Sequence, residues 1–244
     1  MGKPLIIANW KMNFSVLEAE SFAEFFVKNF TVSNVEPVIA PSFVFLQSVS
    51  SIFKSKVSLA AQNVSEKSKG SFTGEVSVDM VKPFCKYVLV GHSERRQFFS
   101  ESNVLVAEKT LTILSAGLIP VICVGESADD HKWGKRDSVL LDQIQAVLKK
   151  VPQLDWSKLI FAYEPVWAIG SGQTPSVPEI EDAVSFIQKI TLNHQQVLYG
   201  GSVSSKNAKE ILSISLLSGL LVGSASLNVK EFLEILRIAS NLRK

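Results

Sequence analysis

Hydrophobic positions along this chain alternate between two patterns. Short, nearly unbroken apolar runs rich in Val, Ile and Leu occur eight times: LIIANW (5–10), PVIAPS (37–42), VSLAAQN (57–63), YVLVGH (87–92), IPVICVG (119–125), LIFAYE (159–164), QVLYGG (196–201) and GLLVGS (219–224). Continuous apolar character without strict alternation is the mark of a parallel strand covered on both faces. Between the runs the spacing becomes helical: Ala19, Phe22, Ala23, Phe26 and Phe30 trace one face, as do Phe232, Ile235, Leu236, Ala239 and Leu242. Ser15 followed by Glu18 has the form of a capping box, which predicts the start of the first helix. Strand then helix, repeated eight times, predicts an α/β fold, either a closed barrel or a doubly wound sheet. No GxGxxG follows the first run, which counts against the dinucleotide-binding version of that sheet.

Length narrows the choice. At 244 residues with 46% hydrophobic content, the chain is close to the ~250 residues typical of one α/β barrel. No linker, low-complexity stretch or shift in composition marks a domain boundary, although length alone makes one large domain no more expected than two small ones. Charge is nearly balanced, 25 Lys plus Arg against 23 Asp plus Glu, which supplies no field to favour nucleic acid or an anionic membrane. Any bound anion must be held by a local site. The two cysteines, Cys85 and Cys123, lie in apolar runs without metal or redox spacing and read as reduced, buried thiols of a cytoplasmic protein. The first apolar stretch is too short for a signal peptide, and no segment has the ~18 apolar residues needed to span a bilayer.

Polar residues collect where the strands are predicted to end. Asn9, Lys11, Asn63, His92, Glu126, Glu164, Ser202 and Ser224 all lie at or just past a carboxyl end, the end of an α/β barrel at which active sites are built. Glu164 follows LIFAY and precedes Pro165 and Trp167; a carboxylate in so dry a setting suits proton abstraction, although a Glu paired with a neighbouring cation would look the same. His92 lies where a strand gives way to a helix, a position that disfavours the imidazolium and suits a neutral hydrogen-bond donor. Lys11 would bring positive charge to the mouth, or be an ordinary solvated lysine. Gly170-Ser171-Gly172, Gly200-Gly201-Ser202 and Gly223-Ser224 could grip a phosphate through backbone N–H groups, or simply make tight turns; three clusters at one mouth favour phosphate. No group of His ligands suggests a metal.

Taken together, NWKMN (9–13), AQN (61–63), FTGE (72–75), GHSERR (91–96), CVGE (123–126), YEPVWAIGSG (163–172), YGGSV (199–203) and LVGSASL (221–227) closely resemble the triosephosphate isomerase family, in order from the first strand to the last. The resemblance implies an α/β fold with residues 1–244 forming a single (β/α)8 TIM barrel domain, and a cofactor-independent, metal-free aldose-ketose isomerase of glycolysis and gluconeogenesis. It would interconvert dihydroxyacetone phosphate and glyceraldehyde 3-phosphate through an enediolate. By the same resemblance Glu164 is the base, His92 the electrophile, and Asn9 and Lys11 the substrate-binding and electrostatic pair, with Glu94 a supporting carboxylate. Gly170, Ser202, Gly223 and Ser224 would hold the phosphate, 165–174 would form a lid, and Thr73 and Glu75 would make homodimer contacts. Neither nucleic acid nor membrane is implied as a partner.

Some positions depart from the family pattern. Ser224 stands where a second glycine is usual, and its side chain should narrow the permitted backbone angles. Ser71 replaces a usual alanine and Ser100 a usual glycine, both close in size. After Gly172 the chain passes quickly through Gln173 and Thr174 to Pro175, so the far hinge of the lid is expected to be shorter or stiffer. A barrel acting on a larger sugar phosphate, a metal-dependent aldolase and a non-catalytic scaffold are the rival readings. The first would not be expected to carry both GHSERR and YEPVWAIG, and the last should have lost Lys11, His92 or Glu164.

Overall fold

A computed structural model describes residues 2–168, 174–192 and 195–242. Its strands are β1 (Leu5–Asn9), β2 (Glu36–Ala40), β3 (Ser58–Ala61), β4 (Tyr87–Val90), β5 (Ile119–Val124), β6 (Ile160–Tyr163), β7 (Gln196–Tyr199) and β8 (Gly219–Val222). Each pairs in parallel with its sequence neighbour, and β1 closes on β8 through Leu5 opposite Gly219, which makes a closed eight-stranded barrel. The helices are α1 (Val16–Asn29), α2 (Leu46–Phe53), α3 (Val78–Val81), α4 (Ser93–Phe99), α5 (Asn103–Ser115), α6 (Ala128–Lys132), α7 (Arg136–Lys150), α8 (Val177–Ile190), α9 (Ala208–Leu212) and α10 (Val229–Leu242). The expected single TIM barrel is therefore the fold observed, and every apolar run holds a strand.

The strands are buried on both sides, which is why their sequences do not alternate with polar residues. Leu5, Ile7, Val38, Ala40, Leu89, Val121, Cys123, Ala162, Leu198 and Leu221 pack into one cluster that fills the barrel. Their neighbours Ile6, Ala8, Ile39, Val88, Val90, Ile122, Val124, Phe161, Val197 and Val222 face the helices in a second cluster. This two-residue period also fixes the aim of the side chains just beyond each strand. Asn9 and Lys11 continue the inward row of Leu5 and Ile7, and Glu164 continues that of Ile160 and Ala162. Acidic and cationic groups thereby reach the barrel mouth without being part of its core.

Helix α1 starts as predicted. The Ser15 N–H donates to Glu18 Oε2 at 2.7 Å, and the Glu18 N–H donates back to Ser15 Oγ at 3.4 Å. Its buried face is Ala19, Phe22, Ala23 and Phe26, with Phe30 at the C-cap. Phe26 stacks on Phe30 and packs on Phe232 of α10, so the first and last helices meet. On α10 the expected stripe is buried except Leu242, which is exposed. Both cysteines are free and buried; burial pushes the Cys85 thiol up to about 12. Among the described residues, no helix is long and apolar enough to cross a membrane.

Candidate active site

A cavity of about 340 Å³ opens at the mouth, lined by Asn9, Lys11, His92, Glu164, Ser202, Gly223 and Ser224. Seven of the eight residues expected to act on substrate are thus brought together from β1, β4, β6, β7 and β8. The eighth, Gly170, lies outside the described residues, as do 169–173 of the expected lid.

Glu164 is only 2% exposed. Its Oε2 accepts the Ser93 N–H at 2.9 Å, while Oε1 has no hydrogen-bond partner among the described residues. His92 Nε2 lies 3.1 Å from that oxygen, yet the N–H direction misses it, so proximity here is not a formed bond. Gly125 lets the backbone of Glu164 pass close by: a Cβ there would lie 1.7 Å from the Glu164 carbonyl oxygen. Behind the carboxylate is Cys123, whose thiol is pushed well up by burial and then by the charge of Glu164, so it stays protonated and inert.

His92 caps α4, with Nδ1 accepting the Glu94 N–H at 3.3 Å. With Nδ1 on that side accepting an N–H, Nε2 is the ring nitrogen that faces Glu164. Gly91, at φ +70°, makes the turn that brings His92 round. Arg96 then ties this corner together, donating to the carbonyl oxygens of Gly91 at 2.7 Å and Cys123 at 3.2 Å.

Lys11 adopts φ +51°, a left-handed backbone unusual for a non-glycine residue. The surroundings hold it there. Its N–H donates to Asn9 Oδ1 at 3.0 Å, and its carbonyl oxygen accepts from Gln62 Nε2 at 2.8 Å and Ser42 Oγ at 3.1 Å. The ammonium pairs with Glu94 Oε1 at 2.5 Å. Gln62 does not stand out in the sequence; only its place beside Asn63 in AQN points toward it.

The late loops are also tied down. Asn207, another residue that the sequence pattern does not single out, donates to the Ser202 carbonyl at 3.0 Å and accepts the Ser204 N–H at 2.8 Å. Ser202 Oγ reaches the Ala168 carbonyl at 3.2 Å. Ser226 bonds the Gly223 carbonyl through both its N–H and its hydroxyl. Ser224 begins a right-handed turn over Ser224–Leu227, so its side chain meets no left-handed backbone there.

Two mouth residues belong elsewhere. Asn63 accepts from Lys109 at 2.9 Å in a buried cluster, and Glu126 borders a separate cavity of about 270 Å³. Each strand end brings its polar side chain to the mouth, but the loop beyond decides whether it faces the axis or a neighbouring helix. Ser100 also differs from expectation. Its size is conservative, but it occupies a left-handed C-cap at φ +53° and ψ +34°, where glycine is favoured.

Comparison with known proteins agrees with this architecture. The sequence model of triosephosphate isomerase matches residues 4–239. The chain is 42% identical to a triosephosphate isomerase of Herminiimonas arsenicoxydans, over 98% of this chain and 100% of the relative. It is 41% identical to one of Mycoplasmopsis pulmonis, over 97% and 98%, and 40% identical to one of Endomicrobium trichonymphae, over 97% and 99%. With barrel, mouth and relatives agreeing over nearly its full length, the chain belongs to the triosephosphate isomerase family.

Proposed function

We propose that this isomerase interconverts dihydroxyacetone phosphate and glyceraldehyde 3-phosphate, with Glu164 as the base. The observation that carries the reading is the unpartnered, buried Glu164 Oε1 at the cavity, 3.1 Å from His92 Nε2 and sharing the mouth with Lys11. Glu164 takes a proton from the carbon next to the carbonyl. The C–H electrons form the enediolate double bond and the carbonyl electrons move onto oxygen. The neutral His92 donates a hydrogen bond from Nε2 to that oxygen, the division of labour this family assigns to such a pair. The proton of the neighbouring hydroxyl passes to the new alkoxide oxygen by way of His92, and return of a proton from Glu164 to the neighbouring carbon turns that hydroxyl oxygen into the new carbonyl, so no redox partner or metal is required by the balance.

Lys11 and Asn9 stabilise the developing negative charge, and the fixed geometry of Lys11 means that little reorganisation is needed as it builds. Phosphate is held by the backbone around Ser202, Gly223 and Ser224, joined by Gly170 from the expected lid over 165–174. Service in gluconeogenesis as well as glycolysis follows from the reversibility of the reaction. A cytoplasmic location rests on the family and on the two free, buried thiols.

The chain acts as a homodimer through the loop containing Thr73 and Glu75. Both residues are exposed, and apolar side chains beside them lack cover: Met12 is 95% exposed, with Val44, Phe72 and Met80 also open. These four lie after β1, β2 and β3, three adjacent strands, so their loops are neighbours at one end of the barrel. Such a surface is suited to a second copy.

The purified protein, without added metal or nucleotide, is expected to convert glyceraldehyde 3-phosphate to dihydroxyacetone phosphate. Glu164→Gln should lower kcat by about 10²- to 10⁴-fold while its circular dichroism stays unchanged. A folded variant that turns over at the unmodified rate would remove Glu164 from the role of base.

A further inference from the structure

The Glu164 carboxylate is held at one oxygen by the Ser93 N–H, while the other has no hydrogen-bond partner among the described residues. The aim of that free oxygen therefore depends on how firmly the backbone beneath it is placed. This backbone leans on its neighbours. The Glu164 N–H donates to the Val124 carbonyl at 2.8 Å, and the next residue, Gly125, passes so close that an added Cβ would lie 1.7 Å from the Glu164 carbonyl oxygen and 2.7 Å from its carbon. On the opposite side is Gly200, where a Cβ would lie 3.0 Å from Glu164 Cγ.

Space thus requires a glycine at 125, and a glycine cannot fix its own conformation, because without a Cβ it ranges over more of φ/ψ space than other residues. Gly125 also lies one position past the end of β5. Its conformation is set instead by Gln143 of α7. The side-chain amide accepts the Gly125 N–H at Oε1, 2.8 Å away, and donates from Nε2 to the Gly125 carbonyl at 3.1 Å. One buried side chain, 8% exposed, thereby holds both backbone groups of a single residue. Two bonds from one planar amide restrain rotation as well as distance. Arg96 grips the same strand two residues earlier, at the Cys123 carbonyl. A cavity of about 710 Å³ bordered by Ser93, Gly125 and Gln143 adjoins the pair. Packing on that side cannot replace the amide, and water can reach the backbone groups that its loss would leave.

We infer that Gln143 is a positioning residue for the reaction: its amide fixes Gly125, and Gly125 fixes the backbone from which Glu164 reaches the substrate. The inference rests on Glu164 being the base. A double-mutant cycle tests it, with kcat and KM measured for Gln143→Met, Glu164→Gln and the two combined, each shown folded by circular dichroism. Methionine keeps the length of the side chain without either hydrogen bond. Gln143→Met should lower kcat about 10- to 100-fold, the order that a small misplacement of a reacting group costs, with KM changed less than about threefold. In the Glu164→Gln background, where no base is left to misplace, the same substitution should lower the residual kcat by less than about threefold. Gln143→Glu, which keeps an acceptor for the Gly125 N–H alone, should fall between Gln143→Met and the unmodified protein, and it takes the place of methionine in the cycle if that variant does not fold. Thr110→Val, which removes a buried hydroxyl bonded to the Val106 carbonyl in α5, should lower the urea midpoint and leave kcat unchanged. An unchanged kcat in Gln143→Met, a change confined to KM, a loss that multiplies in full with that of Glu164→Gln, or an equal loss of kcat in Thr110→Val overturns the positioning role. Full activity in Glu164→Gln alone would instead refute Glu164 as the base, an outcome that no Gln143 variant can imitate.

Discussion

Lys11 and Ser100 both have positive φ, but their surroundings treat them differently. At Lys11 three hydrogen bonds, one donated to Asn9 and two accepted from Ser42 and Gln62, hold the unusual backbone in place, and the result is a cation fixed at the mouth. Strain there is matched by a use. At Ser100 the left-handed backbone only ends α4, and the Ser100 N–H bonds the Arg95 carbonyl as any residue's would. Ser100→Gly should therefore stabilise the protein by about 1 kcal/mol, seen as a higher urea midpoint with unchanged slope. An unchanged or lower midpoint would mean that the serine hydroxyl makes up for the strain.

Helices α4 and α5 and the loop after β3 are joined by a buried charged network. Glu101 Oε1 accepts from Arg95 Nε and Lys109 Nζ, both at 2.5 Å, and Lys109 also reaches Asn63. Burial opposes ionisation of Glu101, but the bonds from Lys109 and Arg95 outweigh it and hold the carboxyl below its usual range. A lowered carboxyl contributes stability that is complete above the unfolded value of about 4.3 and is lost as pH falls through the folded value. Glu101→Gln should thus cost about 3 to 5 kcal/mol near neutral pH, because it leaves Lys109 buried without its anion. In acid, at roughly pH 3, the gap between variant and unmodified protein should narrow, as urea midpoints at the two pH values can establish. A pH-independent gap would assign the loss to packing instead.

For the whole molecule, the exposed apolar loops after β1, β2 and β3 are the feature a lone barrel does not explain. In the proposed dimer they are covered, and Thr73 lies within the contact. Sedimentation should give about twice the 26.8 kDa chain mass, and Thr73→Arg should shift the protein toward the single-chain value by placing a charge in the interface. An unmodified protein that sediments as one chain at every concentration would rule the dimer out and leave those loops needing another partner.

The barrel was legible in the sequence because each strand is buried on both faces, and burial of that kind writes an uninterrupted apolar run whatever the neighbours are. The α1 cap was legible for a similar reason, since Ser15 and Glu18 satisfy each other locally. Residue types at the strand ends named His92, Glu164 and Lys11 as candidates. Facts set by distant partners were not legible. Gln62 acts through the carbonyl oxygens of Lys11 and Ala40 in other parts of the chain, and the left-handed turn at Ser100 shows only in the backbone. Asn63 and Glu126 share the strand-end position of the site residues but turn away from it, toward Lys109 and Trp167. The chain by itself determined which residues could be acid, base or cation, because local pattern sets element and register. Only the closed barrel decided which of them meet, because closure sets the distance between residues far apart along the chain, such as Ser93 and Glu164.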